Sequence, residues 1–323
     1  MNKKPLLILA PLAGYTNIAY RSFMKEFGFD IVVSEMISDF ALIYSNQETF
    51  KMVETSSEEK PVAIQLFGGN KDTLIKAEQI LNKISNYDYL DVNLGCPVQK
   101  VVKNNAGSSW LKNDRQEELY LMMRELCEKS QKPVTAKIRL GWDKDSINVI
   151  ETCRLLEKAG VKLIVIHGRT KSQLYSGQGD YEWIKKAKDA VSIPIIANGD
   201  INSLSKAIEV LDYTKADGIA LGRGALGNPY LATQIKTYFE TGEILPSSTI
   251  QMQIDYLKKH YVALEKLKGE YIAIREMRGI SSWYLKGFSH VRDYKVAFST
   301  INSSKDLYEI CQNILKDDKI ERV

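Results

Sequence analysis

The chain has 323 residues, 44% of them hydrophobic, and a formal net charge of +4. That is enough apolar material for one large domain and a smaller one, and too little charge to announce nucleic-acid binding by itself. No segment approaches the roughly 18 consecutive apolar residues of a membrane span, and the N-terminal MNKKPLLILAPLAG reaches Pro and Gly before a signal-peptide core develops, so a cytoplasmic chain is expected.

From the N-terminus to about residue 240, short β-branched runs alternate with longer amphipathic ones. Strands are predicted over 6–10, 31–34, 62–66, 89–93, 134–138, 163–167, 194–197 and 218–221, with helices between them such as 71–84, 115–129, 146–159 and 204–211. Eight β/α units in this length predict a TIM (β/α)8 barrel over residues 1–242 rather than a doubly wound sheet. After Thr241-Gly242-Glu243 and Pro246 the strands stop, and helical patterns over 250–267, 271–284 and 306–315 predict a small all-helical C-terminal domain over residues 245–323. It carries thirteen Lys/Arg against ten Asp/Glu; Lys258, Lys259, Arg275, Arg278, Lys286, Arg292 and Lys295 form either an anion-facing surface or an ordinary solvated face.

The polar residues of the strands cluster at one end. Gln65, Asn93, Lys137, His167, Asn198 and Arg223 fall at or just beyond predicted strand C-termini, the face on which barrels build active sites. APLAGYT ends the first strand in a Pro/Gly turn that would bring Pro11, Leu12 and Ala13 close to a flat ligand. Gln65 interrupts an apolar strand and suits the paired donors and acceptors of a heteroaromatic ring. In LDVNLGCPVQK, Cys96 lies between Gly and Pro just past a strand, where a structural thiol gains little. A thiol of ordinary pKa, about 8.5, is mostly protonated at neutral pH and can act as a general acid. The four cysteines Cys96, Cys127, Cys153 and Cys311 are scattered, which speaks against a metal site and a disulfide framework.

TAKIRLGW puts Lys137 and Arg139 on one side of a strand. A lysine at a barrel mouth is costly to bury unless it meets an anion or strong acceptor, such as a reduced isoalloxazine. For Arg139 a structural ion pair and a ligand contact stay equally open. His167 in VIHGRT has a functional position at a strand end. IANGDI offers Asn198, Gly199 and Asp200 to a sugar or phosphate, or else caps the next helix. GRGALG formally matches GxGxxG but lacks the later strand-end acid of a dinucleotide site. In a barrel, Gly222 and Arg223 would instead bind phosphate beside IANGDI; glycines that merely turn the chain are the other reading.

Together these motifs resemble the tRNA-dihydrouridine synthases of bacterial type. The likeness runs through APLAGYTN, IQLFGG, LDVNLGCPVQKVVKNNAGSSWL, AKIRLGWD, VIHGRTKSQLYSGQGDYEW, IPIIANGDI, DGIALGRGALGNPYL and WYLKG, nearly the whole chain. The resemblance implies FMN at the barrel mouth, with Pro11, Leu12 and Ala13 lining the ring and Gln65 and Lys137 bonding it. It implies His167 near ring and substrate, and Asn198, Gly199, Asp200, Gly222 and Arg223 around the ribityl phosphate. NADPH or NADH would reduce the flavin, a uridine flipped from the tRNA D-loop would take hydride at C6, and Cys96 would protonate C5. Asn93, Arg139 and Tyr175 would contact the uracil. The implied partners are tRNA, at its D-loop and elbow, and the nicotinamide, for a monomer without metal or membrane. A small-molecule pyrimidine or dihydroorotate oxidoreductase using FMN is the alternative. The chain departs from the family pattern at Leu12, where Met is commoner, at Asn17, where Asp is commoner, and at Gly279-Ile280, where many members have Lys/Arg and His.

Overall fold

In the computed structural model, which describes residues 4–323, the eight apolar runs pair in sequence order as parallel strands and close on themselves. The first three positions of the N-terminal stretch and of the 1–242 unit lie outside the described residues. The strands are β1 (Leu6–Leu9), β2 (Ile31–Ser38), β3 (Val62–Phe67), β4 (Tyr89–Asn93), β5 (Val134–Arg139), β6 (Ile164–His167), β7 (Ile195–Asn198) and β8 (Gly218–Leu221). Pairing of Leu9 with Leu221 seals the ring and removes the exposed edges of an open sheet. Around it run α1 (Ile18–Lys25), α2 (Asp39–Ile43), α3 (Gln47–Met52), α4 (Lys71–Ile84), α5 (Gln99–Val102), α6 (Gln116–Lys129), α7 (Val149–Ala159), α8 (Tyr181–Ala190), α9 (Leu204–Thr214) and α10 (Tyr230–Thr241).

Strand alternation sorts the side chains into two cores. Ile8, Val33, Ala63, Val165, Ile196 and Ala220 pack inside the barrel, while Leu7, Leu9, Val32, Ile64, Ile138 and Ile166 face the helices. The lumen is therefore plugged below the mouth. Several bounds move by one or two residues and α9 runs on to Thr214 rather than 211; two further differences have a structural cause. β2 runs on to Ser38 rather than ending at 34, because a register shift between Val33 and Met36 absorbs the polar Ser34-Glu35 and turns Met36 to the mouth. α7 starts at Val149 rather than 146, since Gly141 and Ile147 pair in an isolated bridge that holds the preceding loop extended.

The C-terminal helices are α11 (Ile250–Lys268), α12 (Glu270–Tyr284), α13 (Arg292–Phe298) and α14 (Ser304–Leu315), with a hydrophobic cluster of their own. α13 has no counterpart in the sequence pattern: it is two turns long with Phe298 as its one buried residue, too little for a period to register. The tail docks on the barrel in two places. On α1, the Phe23 ring stacks on His260 at 5.6 Å, and His260 Nδ1 pairs with the Tyr284 hydroxyl at 2.9 Å. After β8, Gly227 lies in the left-handed region, at φ +65°, so close to α12 that a Cβ there would sit 2.1 Å from the Trp283 carbonyl carbon. Among the described residues no helix is long and apolar enough to cross a membrane.

Gly227→Ala therefore forces both left-handed strain and a backbone clash. It should cost about 2–5 kcal/mol in chemical unfolding and loosen the tail from the barrel, seen as faster proteolysis after residue 242; unchanged stability would contradict this contact.

Candidate active site

The site is built from strand ends and the loops that follow them. All fifteen residues expected from the sequence line one cavity of about 400 Å³ at the C-terminal mouth: Pro11, Leu12, Ala13, Gln65, Asn93, Cys96, Lys137, Arg139, His167, Tyr175, Asn198, Gly199, Asp200, Gly222 and Arg223. The ladder explains the convergence, since Asn93 lies opposite Lys137, Arg139 opposite His167, and His167 opposite Asn198. Met36, Trp283 and Lys286 line the same cavity and were not expected. The last two belong to the WYLKG stretch, but no sequence signal says that the tail returns to the mouth.

One wall is a chain of side-chain hydrogen bonds. Thr135 Oγ1 donates to Asp91 Oδ1 at 2.6 Å, and Gln65 Nε2 donates to Asp91 Oδ2 at 2.7 Å. Asn93 Nδ2 donates to Gln65 Oε1 at 2.8 Å, and Asn93 Oδ1 accepts the backbone N–H groups of Gly95 at 3.2 Å and Cys96 at 2.8 Å. Asp91 escaped the sequence reading, although an acid two residues before Asn93 on the same strand face was a usable signal. The chain seats the turn that carries Cys96. Burial raises the Cys96 thiol above its ordinary pKa, against smaller opposing effects of a Val98 backbone hydrogen bond and the charges of Arg139 and Lys137. At neutral pH it is a proton-bearing thiol rather than a thiolate.

The adjoining wall is cationic. Lys137, Arg139 and Arg223 all line the cavity, and Arg169, not expected from the sequence, lies behind His167. Burial first, then Arg139, lowers the Lys137 ammonium to about 8, so an anionic ligand would be needed to hold it fully charged. Burial and the surrounding cations drive His167 down to about 2, which leaves it neutral. Arg169 Nη1 lies 3.3 Å from His167 Nε2; a guanidinium can only donate, so Nε2 accepts and the ring proton resides on Nδ1.

The loop after β6 is tied down by the same cations. Arg139 Nη1 donates to the carbonyls of Thr170 at 2.7 Å and Leu174 at 2.6 Å. Arg169 donates to the Ser176 and Gly177 carbonyls and pairs with Asp200 Oδ2 at 2.6 Å. Tyr175 is thereby held between Arg139 and Arg223, whose guanidinium carbons lie 5.4 and 4.6 Å from its ring centre. Arg139 thus anchors a loop instead of forming the ion pair considered from the sequence. The Asp200 carboxylate, turned to Arg169 and to the Gly179 N–H at 2.9 Å, leaves its backbone to meet any phosphate. At Gly222 a Cβ would project toward Leu12 Cδ2 at 3.7 Å and fill the space between the first and last strand loops.

A plugged parallel barrel with an open, cation-rich mouth beside the β7 and β8 loops defines a TIM-barrel enzyme with room for a phosphate-bearing cofactor. The family Dihydrouridine synthase (Dus) matches residues 8–319. The chain is 36% identical over 297 residues to a probable tRNA-dihydrouridine synthase of Rickettsia bellii, covering 92% of this chain and 90% of that one. It is 35% identical over 309 residues to tRNA-dihydrouridine synthase B of Pseudomonas syringae pv. tomato, covering 95% and 90%. Among solved structures, histamine dehydrogenase from Rhizobium sp. 4-9 superposes with a TM-score of 0.55 at 12% identity over 81% of this chain, which spans half of that one. That likeness shows the barrel fold alone. The chain belongs to the dihydrouridine synthase family, and it is an oxidoreductase of that flavin-dependent family.

Because the thiolate is the reactive form and burial raises the thiol, Cys96 should alkylate with a half-rate pH above the roughly 8.5 of a free cysteine. Peptide mapping after iodoacetamide at graded pH measures this; labelling at pH 7 as fast as that of an activated thiolate would contradict it.

Proposed function

We propose that the protein reduces specific uridines of the tRNA D-loop to 5,6-dihydrouridine, with FMN as its cofactor, NADPH as the electron source and Cys96 as the proton donor. The observation that carries this reading is the pairing, in one cavity, of a protonated thiol on a rigid turn with cations that have no carboxylate partner. Among the described residues Arg169 alone of the four mouth cations is ion-paired.

These residues suit FMN. Lys137 needs an anion or a strong acceptor, Gly222 leaves open a cradle that a side chain would fill, and Arg223 with the backbone at Gly199 and Asp200 offers donors to a phosphate. Pro11, Leu12 and Ala13 supply the flat backbone surface for the ring. Bound and reduced, the flavin would supply a hydride for C6 of the uracil. Addition there leaves negative charge at C5 and O4, and Cys96 gives its proton to C5, completing the saturated ring. Neutral His167 cannot serve as that acid, since its pKa of about 2 keeps the imidazolium unpopulated.

Residues 1–242 would form the catalytic unit and 245–323 the RNA-binding unit, acting as a monomer in the cytoplasm, where tRNA is found. Support for RNA contact comes from Trp283, in the last turn of α12, and Lys286, just beyond its end, which both reach the mouth. Of the tail's other cations, Arg278 is engaged with the Ile301 carbonyl at 2.8 Å and Asn302 Oδ1 at 2.7 Å, holding α12 to the segment before α14. It therefore serves as a structural tie within the tail.

The test is mass spectrometry of unmodified tRNA incubated with protein, FMN and NADPH. Uridine should gain two hydrogens at D-loop positions, and Cys96→Ala should lower the rate by about 10²–10⁴-fold with flavin retained. Untouched tRNA alongside turnover of free uracil or orotate would favour the small-molecule alternative. Lys286→Glu should weaken tRNA binding and reduce its salt slope by about one, with flavin content constant. A slope that does not move would remove Lys286 from the RNA path.

A further inference from the structure

The hydrogen-bond chain behind Cys96 has a direction, and its buried end sets it. Asp91 is only 3% exposed and Gln65 is fully buried, so both are cut off from bulk water and held by protein partners. Burial raises the Asp91 pKa, but Thr135 Oγ1 and Gln65 Nε2 lie against its two oxygens as donors, so the side chain accepts in both bonds. Asp91 therefore compels Gln65 to present its amide N–H₂ inward and its Oε1 to Asn93. Asn93 must then turn Nδ2 to Gln65, and both lone pairs of its Oδ1 are taken by the N–H groups of Gly95 and Cys96. What remains at the cavity is the second Nδ2 hydrogen of Asn93, whose nearest further acceptor is the weak thioether of Met36 at 3.8 Å.

We infer that Asp91 is a remote specificity-determining residue: by fixing the direction of the Asp91–Gln65–Asn93 chain it makes this wall a hydrogen-bond donor, which accepts a pyrimidine carbonyl and rejects an amine. The inference rests on the proposed uridine chemistry. Cys96 must reach C5, and Asn93 holds the backbone of Cys96 itself, so the ring substituent beside Asn93 is the one on the neighbouring C4. In uracil that is an oxygen acceptor. In cytosine it is an amine, which would set donor against donor and leave a buried N–H without a partner. Neither Asp91 nor its bond to Gln65 touches the substrate; Asp91 acts through two amides.

Replacing the carboxylate by a carboxamide frees the chain to run either way. With Thr135 still donating, Asn at position 91 turns its own N–H₂ to Gln65, both amides flip, and Asn93 faces the Cys96 turn with a donor while showing an acceptor at the cavity. The experiment uses flavin-loaded protein and measures Kd, by quenching of the bound flavin, for tRNA transcripts carrying U or C at the modified position. Wild type should prefer U. Asp91→Asn should lower the U-to-C affinity ratio by about tenfold or more, with flavin content close to wild type and a lowered melting temperature, since the flipped Asn93 no longer accepts from the Gly95 and Cys96 N–H groups. An unchanged ratio in that variant overturns the inference. If Asp91→Asn does not fold, Gln65→Met decides: it leaves the Thr135–Asp91 bond intact and breaks the link to Asn93, so a retained ratio in flavin-bound protein overturns the inference equally. Wild type that reduces no uridine refutes the functional reading instead, whatever the variants do.

Discussion

The closed parallel ladder is the constraint on which the rest of the molecule depends. Eight strands pairing in order and sealed by β1 against β8 bring eight C-terminal ends around one mouth, and side chains far apart in sequence become neighbours across single ladder steps. Asn93, Lys137, Arg139, His167 and Asn198 are such a succession, each contributed by the last residues of its strand. Because apolar residues plug the lumen below them, these groups rest on a rigid floor and cannot relax inward.

Holding the buried Arg139 and Arg169, Lys137 and the exposed Arg223 around a neutral histidine opposes folding, since the buried cations lose water and all four repel one another. The depressed titration of Lys137, Arg139 and His167 is the signature of that cost. The protein offsets part of it locally: backbone carbonyls of the loop after β6 solvate Arg139 and Arg169, and Asp200 neutralises the latter. Loop order and charge are thus one arrangement. Lys137 is left for a ligand to satisfy, an instance of stability yielded at a functional site.

The tail belongs to this arrangement. Among the described residues the buried His260 Nε2 has no partner; burial keeps the ring neutral, its pKa lowered to about 3, and packs it against Tyr20 and Phe23 of α1. That contact and the glycine approach at Gly227 fix α12 so that Trp283 and Lys286 overlook the mouth.

Local pattern was sufficient to determine much. Alternating runs mark all eight strands because each buries two faces, and polar residues at strand ends mark the site because such positions are costly for charge without function. Every residue nominated on those grounds lines the cavity. Helix α13 and the extension of β2 were not legible, as a two-turn helix and a register shift leave no period to read. Nor were Asp91 and Arg169, whose roles exist through partners 26 and 31 positions away, nor the return of Trp283 and Lys286 to the mouth. Sequence determines which segments must be buried and which side chains resist burial. Which of those side chains meet, in which direction a hydrogen bond runs, and whether Arg139 binds a loop or a carboxylate are decided by tertiary structure alone, because they depend on distances that no local period encodes.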